Sequence, residues 1–182
     1  QGRLVGAEIS NCSFTNVRAV DSNWFEANAA DSKMESVDWS HSCLADSCFR
    51  SAKLTGCKMN DCLMTGVKFM LAELDRCSLV RADLRSSELM GGSMLQCNLA
   101  ETDLSRCRAF DQIKSAVTGN KEGDPEGVDL SRSNLSGAIG LESDLQEAKL
   151  VGCNLSSSSF RHSNLQGARL TESNCESMDL AG

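Results

Sequence analysis

Apolar residues recur along this chain at every fifth position, a spacing that belongs to neither regular secondary structure. From Leu4 the column runs through Ile9, Phe14, Ala19 and Trp24 and continues unbroken past Leu84 to Leu104 and Ala109. Two residues before each member stands a small one, from Gly2, Ala7, Cys12 and Val17 on to Cys97, Thr102 and Cys107. The pairing resumes in a new phase with Val128 and Leu130 and reaches Leu180; Met178 is the bulky exception in the small column, and Gly140 leaves one central slot empty. Helices repeat every 3.6 residues and strands every 2. A period of five fits a chain that turns a corner every five residues, with one small and one large residue pointing inward. The outward residues are rich in Gly, Asn, Asp and Ser, which corners require. Four corners close a coil of about twenty residues, and coils stack at roughly the 4.8 Å spacing of paired strands.

The pattern therefore predicts an all-β, right-handed, quadrilateral parallel β-helix of about eight coils, a rod roughly 40 Å long. It is read as one continuous domain, with coils over 1–109 and 128–182 and an interrupting loop over 110–127. The loop holds Gly119-Asn120-Lys121-Glu122-Gly123-Asp124-Pro125-Glu126-Gly127, which is turn chemistry. From Ala109 to Leu130 the chain is one residue longer than a coil, which is taken to explain the change of phase. Residues one coil apart should then stack, Leu84 on Met64 and Trp39 on Ala19, so that small residues offset the largest ones.

Ala82-Asp83-Leu84, Ser133-Asn134-Leu135, Cys153-Asn154-Leu155 and Ser163-Asn164-Leu165 resemble the A-(D/N)-L core of the pentapeptide-repeat family. The resemblance covers the chain except residues 110–127 and implies the same quadrilateral β-helix. It implies function weakly, because the family hosts unrelated roles. Some quinolone-resistance members resemble B-DNA in width and charge and bind DNA gyrase, often as C-terminal dimers. The alternative reading of this chain is therefore a gyrase-binding DNA mimic, set against mixed charge columns and no dimerising helix after Leu180.

Composition narrows the rest. The chain has 182 residues, ten cysteines, one proline, no tyrosine and a net charge of −7, which disfavours direct nucleic-acid binding through phosphates. Most cysteines fall on the small inward position. The ladder Cys57, Cys77, Cys97 is read as reduced packing thiols rather than a disulfide or soft-metal site, as expected of a reducing, cytoplasmic compartment. Cys43 and Cys48 precede central residues and should face solvent as the candidate reactive thiols. No nucleophile–base pair, phosphate-cradling loop or histidine-containing metal spacing is evident, so neither enzymatic activity nor a metal or other cofactor is expected. No apolar run spans a membrane. Gln1 and Gly182 read as cut ends of a longer protein.

The remaining signal is apolar and outward. Met70, Met90 and Phe110 share one corner column, with Leu71 and Leu63 taken as neighbours. The expected function is a non-catalytic rigid scaffold or protein-interaction module whose partner is another protein, with a homodimer left open. Either residues 111–117 cover the strip with Ile113, Ala116 and Val117, or it stays open for the partner.

Overall fold

The computed structural model describes residues 2–109 and 127–182. The described chain is an all-β parallel solenoid with four faces. Its corners come from one repeated backbone state. The second residue after each central one lies in the left-handed region, as at Asn11 (φ 57°), Asp21 (φ 54°), Arg81 (φ 55°) and Glu142 (φ 55°). At many corners the turn closes on itself: Ala7 N–H donates to Leu4 O at 3.0 Å, and Ala82 N–H to Leu79 O at 3.0 Å. Between corners the extended backbone pairs with the next coil. Leu44 N–H donates to Leu63 O at 2.8 Å, and Leu63 N–H to Ser42 O at 3.0 Å.

Four ladders define the faces. The first runs Arg3, Asn23, Cys43, Leu63, Asp83, Asp103, Ile139, Ser159, Asp179; the second starts at Glu8 and the fourth at Arg18. The third carries the regular strands β1 (Ser13–Thr15), β2 (Lys33–Glu35), β3 (Lys53–Thr55), β4 (Glu73–Asp75) and β5 (Ser93–Leu95), parallel in the order β1-β2-β3-β4-β5. Their register places Phe14 on Met34, Leu54 on Leu74, and Leu74 on Met94. The regular sheet thus accounts for four turns rather than eight, because elsewhere each face pairs through a single residue per coil.

The five-residue pattern buries what it should. Met64 and Leu84 stack with no exposed surface, and Trp39, Phe49, Leu99 and Leu155 are equally enclosed. An aromatic column threads the early coils: Trp24 meets Trp39 edge-on at 5.4 Å, and Phe49 stacks on Phe69 at 5.4 Å.

Two expectations are corrected. Ser93 pairs with Asp129, 36 positions on, whereas Glu73 pairs with Ser93, 20 positions on. Leu130 therefore sits over Met94 on the third face, the face that follows Ala109. The 21 residues from Ala109 to Leu130 thus advance the chain by one face with sixteen to spare, not by a full coil and one residue. The central slot at Gly140 is also not empty. The Phe160 ring fills it, with Cδ1 and Cε1 where a Cβ on residue 140 would stand. A ring reaching one coil down compensates for the missing side chain, as dense packing demands.

Candidate partner surface

The second-to-third corner carries the apolar column. Leu71 is 46% exposed, while Met70 and Met90 are half-buried. Phe110, and with it the question of what residues 111–117 cover, lies outside the described residues. Leu71 occupies the left-handed corner position at φ 59°. Among the described residues the other such positions hold Gly, Asn, Asp, Ser, His, Gln, Glu or Arg, so Leu71 is the one apolar side chain there. A left-handed residue with a Cβ costs about 1–2 kcal/mol, and Asn or Asp offsets part of that cost with local hydrogen bonds that Leu cannot make. The next coil makes room for it: a Cβ on Gly91 would lie 2.9 Å from Leu71 Cδ2.

Leu63 stands apart from this group. It pairs with Cys43 and Asp83 on the first face, and the Gly66 corner and Lys68 separate it from Met70 in the chain. It is 46% exposed.

The cysteines differ in burial. Cys57, Cys77 and Cys97 are free and buried, whereas Cys43 and Cys48 are half-buried, between Asn23 and Leu63 and between Asn28 and Lys68. The inner thiols are hydrogen-bonding elements. Cys57 Sγ reaches Met34 O at 3.5 Å, Cys77 reaches Leu54 O at 3.5 Å, and Cys97 reaches Leu74 O at 3.7 Å. These carbonyls lie at third-to-fourth corners that lack the closed turn bond. Ser133 makes the same bridge more tightly: its Oγ donates to Met94 O at 2.6 Å and accepts from Cys97 N–H at 3.1 Å.

Cys57, Cys62, Cys77 and Cys107 stay protonated. The hydrogen bond with Cys77, then burial, pushes Cys57 well above the usual thiol range. The hydrogen bond with Cys57 pulls Cys77 down, but the bond with Cys97 and burial outweigh it, leaving Cys77 at about 12. Burial pushes Cys62 and Cys107 up to about 12. Protonated, enclosed sulfur is a poor nucleophile and a poor ligand. Among the described residues no group of His, Cys, Asp or Glu could hold a metal ion, and no helix is long and apolar enough to cross a membrane.

Outward charges pair along the ladders. Arg81 grips Asp61 with two bonds, at 2.7 and 2.9 Å, beside His41, and Lys53 meets Glu73 at 2.8 Å. The Arg81 guanidinium holds the Asp61 carboxyl below the usual carboxylate range. In the later coils of the fourth face the ladder is amide on amide. Asn134 Nδ2 donates to Asn98 Oδ1 at 3.1 Å, and Asn154 Nδ2 to Asn134 Oδ1 at 3.1 Å.

Eight copies of the family described as Pentapeptide repeats match this chain, over residues 47–85, 77–109 and 142–174. The chain belongs to the pentapeptide repeat family. No curated protein matches it in sequence. Among solved structures, this pentapeptide repeat protein is similar to one from the Arabidopsis thaliana thylakoid lumen, at 18% identity, with 64% of this chain and 81% of that one covered and a TM-score of 0.55. QnrB1, a plasmid-mediated fluoroquinolone resistance protein, aligns over 98% of this chain and 87% of its own, at 15% identity and a TM-score of 0.47. At 18% identity the likeness to the thylakoid-lumen protein speaks to the fold alone.

Proposed function

We propose that this pentapeptide repeat protein is a non-catalytic, rigid interaction module that docks another protein on the second-to-third corner around Met70, Leu71 and Met90. The observation that carries this reading is Leu71, an apolar side chain held in the left-handed state and 46% exposed. Neither folding nor solubility favours it there, and a strained residue without a structural reason points to function. A coil locked to its neighbours on four faces offers a surface that loses little freedom when a partner binds. The gyrase-binding alternative draws no support from the ladders, where carboxylates are mixed with cations, amides and apolar residues.

The test is site-specific photocrosslinking from position 71 in cells producing the protein, repeated from Thr55 on the third face. The reading expects one discrete adduct from position 71, absent from position 55 and lost in Met70→Ser/Met90→Ser. Identical adduct patterns from both positions would reject it.

A further inference from the structure

The first face carries a second surface, of different chemistry. In its early coils Val5, Phe25 and Ala45 form one outward column, with Cys43 and Leu63 beside them. Val5 is 44% exposed and Leu63 46%; Phe25 and Cys43 are half-buried, and Ala45 is enclosed. Over four coils this strip is about 15 Å long.

Carboxylates line both of its long sides. The corner before the face stacks Asp21, His41 and Asp61, and the corner after it holds Glu26 and Asp46. Asp61 is engaged by Arg81, but among the described residues no cation is paired with Asp21, Glu26 or Asp46. Asp46 lies against Gly66 of the next coil. At the far end Asp83 closes the strip, held below the usual carboxylate range by the Arg85 guanidinium and so kept ionised.

We infer that this strip docks a short segment of another protein in which apolar side chains are flanked by lysines or arginines. The inference deepens the reading of the chain as an interaction module by naming a partner chemistry. An apolar centre alone would accept any greasy segment. Acidic rims on both sides reject acidic segments and orient basic ones, since like charges brought together cost affinity and opposite ones speed encounter. The apolar centre separates this surface from a phosphate-like one, because a polycation without apolar side chains gains nothing from Phe25 or Leu63.

Fluorescence anisotropy with the full chain tests it, using three labelled twelve-residue peptides: Leu and Phe flanked by Lys and Arg, the same apolar residues flanked by Glu, and the basic residues with Ser replacing Leu and Phe. The first should bind at least tenfold more tightly than either of the others. Phe25→Ser/Leu63→Ser and Glu26→Lys/Asp46→Lys should each weaken it at least tenfold. Both corner positions tolerate a cation, because Arg76, Arg81 and Arg106 sit in the same backbone state, and circular dichroism checks that each variant folds. Glu35→Lys on the third face should leave binding unchanged. Equal binding of the basic peptide without apolar residues, equal loss in Glu35→Lys, or no binding of any peptide overturns the inference. The adduct from position 71 is unaffected by these outcomes, so the two readings fail separately.

Discussion

The third-to-fourth corner is built in two ways on either side of the interruption. In the earlier coils it is open. The five three-residue strands run into it, its carbonyls at Met34, Leu54 and Leu74 find a thiol from the coil above, and Ser133 serves the last of them, Met94. In the later coils it also closes on itself, with Ser133 N–H on Leu130 O at 3.2 Å, Cys153 N–H on Leu150 O at 3.4 Å and Ser173 N–H on Leu170 O at 3.1 Å, while the bridge from the coil above remains, Cys153 Sγ on Leu130 O at 3.0 Å and Ser173 Oγ on Leu150 O. The five-residue pattern is the same in both regions, so it specifies a corner without specifying which. Each coil hydrogen-bonds to the one below and inherits its corner. Where the chain leaves the spiral the inheritance breaks. The seam shows as the longest inter-coil backbone bond at this corner among the described residues, Gln96 N–H to Ser131 O at 3.3 Å. A cavity of about 370 Å³ lined by Leu95, Gln96, Ser131, Arg132 and Val151 opens beside it.

The sharpest way to break this comparison is to ask whether the regions unfold together. Leu79 and Leu155 occupy the same central column before and after the seam, and both are fully buried. Replacing either by Ala should cost about 2–5 kcal/mol in urea denaturation. If the seam is mechanically continuous, both variants keep a single transition. Two transitions in either would mean that the regions are separate cooperative units.

Gly140→Ala should cost about 1–3 kcal/mol by driving the Phe160 ring from its slot. Pairing it with Phe160→Leu should recover part of the loss; a single variant as stable as the parent would show that the ring can move aside.

The bridging groups should rank by bond strength. Ser133→Ala removes a 2.6 Å bridge and should lose about 1 kcal/mol or more. Cys77→Ser exchanges a thiol for the hydroxyl that this column already uses and should be near neutral by thermal melting. A Cys77→Ser loss larger than that of Ser133→Ala would mean that sulfur volume, not bridging, sets the open corner.

The smallest effect has the opposite sign. Ser87 Oγ is buried without a hydrogen-bond partner, so Ser87→Ala should gain about 1 kcal/mol in the same melts. A decrease would mean that the hydroxyl is satisfied in solution.

Periodicity carries most of this fold because the five-residue repeat acts coil by coil. Leu84 over Met64 and the inward thiols could be read from spacing alone. The phase of the second region could not, since 21 residues from Ala109 to Leu130 fit either a full coil with one residue over or a single face with sixteen extra. Only the pairing of Ser93 with Asp129 separates these. Phe160 filling the place of Gly140 was likewise hidden, because the repeat says which residues point inward but not how far a ring reaches. For the outward surface, spacing put Met70 and Met90 in one column, but grouping Leu63 with them ignored the corner between. The acidic rims of the first face lie one position further on, at the left-handed corner residues, where the outward signal of the repeat is charge and not hydrophobicity. Steps of twenty join Glu26 to Asp46, and Asp21 to Asp61 by way of His41.

The departure of the chain between Ala109 and Val128 has a consequence for how such a rod can change over time. All four ladders continue from the coil before it to the coil after it, and closing a longer loop costs only about 0.6 kcal/mol per doubling. The point of departure is a socket: segments of other lengths and sequences could be exchanged there while the spiral keeps count, which would let a lineage try new attachments on an unchanged shaft.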